Sequence, residues 1–200
     1  MLLFSVIKPT EVNTIELKIT DEELVFEIVR TNNTELFATL YDRFSSVVYN
    51  KCYGFSKSKE EAEGLMHDVF VRLFVKLKTF RGNSKFSTWL YSFTYNFCVN
   101  YVQRNSHKKK EKVTIVTDQI KENNDSFEEI EDANLLELKS AKLAKALSLI
   151  DPSDKMILLM KYQDDKSIKE IKEVLNIGES AVKMRVKRAK AKVVKVYESL

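Results

Sequence analysis

Two groups of residues in this 200-residue chain have types and spacings suited to contact with a polyanion. The first is at the C-terminus, where residues 180–200 hold seven lysines and arginines against the single carboxylate of Glu198. A basic helix of this kind is the electrostatic footprint of a polyanion binder. Turned at about 100° per residue, Val182, Val186, Ala189 and Val193 fall in one narrow stripe that must face a core. Ser180, Met184, Lys187, Arg188 and Ala191 lie opposite, with Lys183 and Arg185 on the flanks. Basic side chains there have no packing role, so phosphate and base contacts in a major groove are their natural use. The alternative is a solvated lysine coat on a helical hairpin.

The second group is aromatic. Eight of the 21 aromatic residues (12 Phe, eight Tyr, one Trp) crowd between Phe80 and Tyr101. Phe86, Leu90, Phe93 and Phe97 make an inward stripe that packing explains. Trp89 differs, because at helical spacing it shares a face with Lys85, Ser92, Asn96 and Gln103. A large ring among amides and a lysine suits a surface that stacks on unpaired bases and hydrogen-bonds their edges. A tryptophan at a subunit contact fits the same pattern.

Enzyme chemistry has no comparable support. His67 and His107 lack cysteine or carboxylate partners at ligand spacing, and there is no glycine-rich phosphate loop or nucleophile elbow. No catalytic residue, metal or cofactor is expected. Cys52 and Cys98 form no framework or metal spacing; they read as buried small hydrophobes in a reducing, cytoplasmic setting.

The elements that position both groups are helical. Four glycines and two prolines are too few for the turns of a sandwich or barrel. No apolar run approaches the roughly 20 residues of a membrane span, so no membrane insertion is expected. The opening Met1-Leu2-Leu3-Phe4 has no basic lead-in and stops at Lys8 and Pro9, unlike a signal peptide. Apolar residues recur at three- and four-residue steps in 34–50 and 59–78, a shorter helix is predicted over 21–30, and another long one over 87–103. Further on, helices are expected over 135–149, 156–162 and 167–175, with Pro152 at or just before a helix start. Asn176-Ile177-Gly178 forms a tight turn into a last helix, from 179 or 180 to 197, which makes a helix-turn-helix.

Charge marks the boundaries. Residues 21–106 are near neutral, residues 113–134 carry one lysine against seven carboxylates, and residues 135–200 are net +6. The fold class is therefore all-α: two small helical domains, 21–106 and 135–200, joined by a flexible acidic linker (107–134) and preceded by a tail (1–20).

Thr79-Phe80-Arg81-Gly82-Asn83-Ser84-Lys85-Phe86-Ser87-Thr88-Trp89-Leu90-Tyr91, followed by Asn96, resembles the signature of bacterial extracytoplasmic-function (ECF) sigma factors of the sigma-70 family. Residues 61–70, Glu61 to Phe70, resemble the family's polymerase-docking helix, and 168–189 its helix-turn-helix for the −35 element. The likeness covers about residues 21–106 and 135–200. Gly64 and His67 stand where the family usually has aspartate and glutamine, Tyr95 where it has arginine, and Lys172 and Ala181 where it has alanine and threonine.

The resemblance implies a region 2-like first domain and a region 4-like second one. It implies that the chain binds core RNA polymerase through Glu63, Met66, His67, Asp68 and Phe70. The −10 element would be opened and read by Arg81, Asn83, Ser84, Lys85, Phe86, Trp89, Asn96 and Arg104. The −35 element would meet Ser180, Lys183, Met184, Arg185, Lys187 and Arg188. Promoter DNA, core polymerase and an anti-sigma factor are the implied partners, and polymerase would carry the catalytic metal. The acidic linker would thread a basic polymerase channel or serve as a solvated spacer. The rival reading is a conventional helix-turn-helix regulator with an N-terminal sensing or dimerisation domain, which leaves residues 81–91 unexplained. A helical adaptor that touches no nucleic acid is a further rival.

Overall fold

The structure, a computed structural model, describes residues 19–110 and 140–200. The tail before residue 19, most of the acidic linker and the expected helix start at 135–139 lie outside the described residues. Among those described there are eight α-helices and no strand, as the composition required. They fall into two compact units that part after Thr94, within the fourth helix.

In the first unit, α1 (Asp21–Thr31) opens on a capping box. Thr20 Oγ1 accepts the Glu23 N–H at 3.2 Å, and the Glu23 carboxylate accepts the Thr20 N–H at 2.8 Å. The helix stops at Asn32, whose left-handed φ of 54° an asparagine tolerates. Asn33 caps α2 (Thr34–Tyr53), accepting the Glu35 N–H at 2.7 Å. Arg43 of α2 donates to Asp21 at 2.9 Å and to the Ile19 carbonyl at 3.2 Å, tying α2 to the start of α1.

The third helix, α3 (Lys59–Lys76), begins with Ser58 accepting the Glu61 N–H at 3.2 Å and ends in a 3-10 turn, Leu77–Thr79. It packs along α2 through Phe37, which meets Phe74 edge-on at 4.9 Å, and Tyr41, 4.5 Å from Phe70. Leu24, Leu40, Val69, Leu73 and Phe86 are fully buried, each contributing about 1.5–3 kcal/mol by leaving water. A loop at 80–85 leads into α4 (Phe86–Lys110), which runs seven residues beyond the expected end at 103.

In the second unit, α5 (Ser140–Leu149) is followed by α6 (Pro152–Leu158), with Pro152 in its first turn and Asp151 accepting the Ser153 N–H at 2.8 Å. The expected helix over 156–162 thus starts four residues earlier, and it ends in a π-helical turn, Leu159–Gln163. A second capping box, Ser167 with Glu170, starts α7 (Ile168–Leu175). Asn176 takes φ 52° to end it, whereas Gly178 keeps a negative φ of −67° and caps α8 (Glu179–Glu198). Cys52 and Cys98 are buried, as expected.

Candidate nucleic-acid interface

The helix-turn-helix is built as its sequence pattern demands. Three residues separate α7 from α8, and Val182, Val186, Ala189 and Val193 are all buried. They pack α8 against α6, α5 and α7. With that stripe facing inward, Ser180, Lys183, Met184 and Arg185 are exposed, and Lys187 and Arg188 are half-buried. Met184 is an apolar side chain 47% exposed on a polar face, suited to a thymine methyl.

Two details were not legible in the charge pattern. Lys192 is half-buried and paired with Asp154 at 2.6 Å, and Lys142 of α5 stands 4.4 Å over the Tyr197 ring. Part of the basic surplus of α8 is therefore structural. In α7, Lys166 Nζ at 2.9 Å, the Ser167 N–H at 2.9 Å and the Ser167 hydroxyl at 2.8 Å all donate to Glu170, holding its carboxyl down at about 2. Burial alone pushes the Lys155 ammonium below its usual range.

In the first unit, Arg81, Asn83, Ser84 and Lys85 are exposed on the loop that enters α4, where Gly82 adopts φ +71°. Phe86 is fully buried and meets Phe44 edge-on at 5.4 Å, so it anchors the helix rather than reaching outward. Leu90 completes the buried stripe, but Phe93 and Phe97 are only half-buried.

Trp89 departs from the picture of a ring surrounded by amides. It is half-buried, stacked on Phe93 at 5.5 Å and Phe86 at 5.9 Å, with Phe80 edge-on at 5.7 Å. One side of the ring is thus part of an aromatic cluster. Further along α4, Asn96 and Arg104 are exposed.

The expected polymerase-docking residues divide by burial. Glu63, His67 and Asp68 are exposed on α3, with His67 stacked 6.3 Å from the Tyr41 ring. Met66 and Phe70 are buried at 8% and 3% exposure and belong to the core that supports this face. Val71 and Val75 were missed: they are 68% and 60% exposed on the same outer side of α3. Their signal was legible, since both fall off the buried period of Leu65, Val69 and Leu73. Among the described residues, no group of three His, Cys, Asp or Glu could hold a metal ion, and no helix is long and apolar enough to cross a membrane.

Two family models match the chain. The one for sigma-70 region 2 matches residues 40–108, and the one for sigma-70, region 4 matches residues 140–193. The chain is 30% identical over 170 residues to the ECF RNA polymerase sigma factor SigW of Bacillus subtilis (strain 168), spanning 81% of this chain and 89% of SigW. The chain belongs to the ECF sigma factors of the sigma-70 family.

Solved structures share the fold. CnrH in complex with the cytosolic domain of CnrY aligns over 90% of this chain and 97% of CnrH, with a TM-score of 0.57 at 20% identity. RpoE of Bartonella quintana, solved with the anti-sigma factor NepR, aligns over 81% and 96%, with a TM-score of 0.54 at 15% identity. As an ECF sigma factor, the chain binds core RNA polymerase, recognises the −10 and −35 promoter elements and promotes DNA melting to start transcription. The regulator alternative gives way, because the region 2 match covers residues 81–91, which it left unexplained.

Proposed function

We propose that residues 21–106 form the region 2-like domain and residues 135–200 the region 4-like domain of this sigma factor. Glu63, His67 and Asp68, backed by Met66 and Phe70, dock on core polymerase. Arg81, Asn83, Ser84, Lys85, Trp89, Asn96 and Arg104 engage the −10 strand, with Phe86 as their anchor. Ser180, Lys183, Met184, Arg185, Lys187 and Arg188 meet the −35 duplex. The chain itself carries out no catalysis and works in the cytoplasm, while polymerase performs the chemistry.

The observation that carries the reading is the face of α8. Its valine and alanine stripe is buried and its outer turn presents exposed Lys183, Met184 and Arg185, the arrangement a major groove requires. Two DNA-reading modules on one chain combine two weak contacts into one strong one. Because CnrH and RpoE were solved with CnrY and an anti-sigma factor, an anti-sigma partner for this chain is part of the proposal.

Run-off transcription with bacterial core polymerase, with and without the chain, tests the reading. Promoter-specific transcripts are expected only when both are present. Tight binding to promoter duplex by the chain alone, with no affinity for core polymerase, would overturn it.

A further inference from the structure

We propose that Glu22 and Phe26, one turn apart on α1, are positioning residues that hold the 81–85 loop and the first turn of α4 in the conformation that engages the −10 strand. The inference rests on the assignment of that loop to the −10 element. The start of α4 lacks local support. Lys85 stands immediately before its first residue, where Ser, Thr, Asp or Asn would serve as a cap, and its first turn contains no acidic residue. The Phe86 N–H is one of the four donors that a helix start leaves without an intrahelical acceptor. It donates instead to Glu22 Oε1 at 2.6 Å, a carboxylate 64 positions earlier in the chain. That carboxylate also meets the positive end of the α4 dipole.

Phe26 secures the other end of the loop. Its ring is 48% exposed, yet it lies over Gly82: a Cβ at Gly82 would stand 3.2 Å from Phe26 Cζ. Gly82 needs its freedom doubly, for this close approach and for φ +71°. The Phe26 ring also lies 5.8 Å from that of Phe80, the first residue of the loop. The loop is therefore fixed by α1 at its entrance, at its left-handed turn and at its exit. Ser84 and Lys85 are left to line an open groove of about 660 Å³ between the loop and the start of α1. A loop held in this way before DNA arrives incurs a smaller ordering cost on binding.

Trp89, the chain's only tryptophan, reports on this arrangement without DNA, because it stacks on Phe86 and meets Phe80 edge-on. In the full chain, Glu22→Ala and Phe26→Ala should raise the acrylamide quenching constant of Trp89. Glu22→Gln, whose amide oxygen can still accept from Phe86, should restore most of the protection. With the full chain bound to core polymerase, both alanine variants should bind a single-stranded −10 oligonucleotide about fivefold more weakly, with unchanged affinity for −35 duplex. Wild-type quenching in both alanine variants overturns the proposal. So does an equal loss on −35 duplex with a collapsed circular dichroism spectrum, which marks general unfolding. Raised quenching with undiminished −10 binding leaves the clamp standing and overturns the assignment of the loop to the −10 element.

Discussion

Lys192 Nζ lies 2.6 Å from Asp154 Oδ2, an ion pair that ties the middle of α8 to the first turn of α6. The carboxylate is only 18% exposed, so water screens the pair less than it would on an open surface. Asp154→Ala should therefore lower the stability of the second unit by about 1–2 kcal/mol, more than a typical surface pair. Lys192→Ala should cost a similar amount and leave −35 affinity unchanged. Thermal melting and holoenzyme binding to −35 duplex check both; loss of DNA affinity without loss of stability would place Lys192 on the DNA face instead.

Glu170 makes the stability of α7 sensitive to acid. Its folded carboxyl is depressed to about 2 from 4.5, chiefly by the hydrogen bond from Lys166 and then by those from Ser167. A depressed carboxyl contributes stability that is fully present above about 4.5 and is lost as pH falls towards about 2. The wild-type melting temperature should drop across that window more steeply than that of Glu170→Gln. Since the side chain is solvent-exposed, the difference should be small. Parallel pH profiles would remove Glu170 from the acid response.

Much of the fold was legible because helices write a short period into the sequence. The Val182, Val186, Ala189 and Val193 stripe needed only a count of residues, and Asn176 carried the stop of α7 in its own tolerance for positive φ. What was not legible came from distant partners. Nothing near Phe86 announces that its N–H is capped by Glu22, 64 positions away. The apolar run at 156–162 reads as plain α-helix, yet its end takes a wider π turn, which closes with the Asp164 N–H on the Leu159 carbonyl at 3.0 Å. In the candidate site, the family resemblance pointed to Met66 and Phe70, whereas packing buries both in the core.

The outer face of α3 gives a direct test of polymerase docking. Val71 and Val75 leave an apolar strip in water beside Asp68, and such strips are where partners gain affinity. Val71→Asp should weaken binding to core polymerase by about tenfold or more, with an unchanged melting temperature. Native affinity for core polymerase in both Val71→Asp and Asp68→Ala would move the docking face elsewhere.

Trp89 has a packing role as well as the proposed DNA role, so its substitutions must be read in pairs. Trp89→Ala removes one ring from the cluster of Phe80, Phe86 and Phe93 and should cost about 2–4 kcal/mol of stability. Trp89→Phe should retain most of that stability and still slow promoter opening. Asn96→Ala, on an exposed position, should slow opening with little change in stability. Permanganate footprinting of unpaired thymines reads opening directly; wild-type opening kinetics in Trp89→Phe and Asn96→Ala would assign this surface to packing alone.

Specificity for the −35 element should reside in the first half of α8. Lys183, Met184, Lys187 and Arg188 lie within its first ten residues, away from the buried valines, whereas Lys195 is exposed three residues before the helix end. In a groove-bound helix the early turns reach base edges, and later ones reach only backbone phosphate or solvent. Arg188→Ala should cost about 1–3 kcal/mol on the preferred −35 sequence and relax selection at one or two bases. Lys195→Ala should weaken every sequence alike, if at all, with a shallower dependence on salt. The comparison requires holoenzyme and a panel of single-base −35 variants at two salt concentrations. Indistinguishable profiles for the two substitutions would reduce α8 to a nonspecific basic surface and place −35 discrimination outside it.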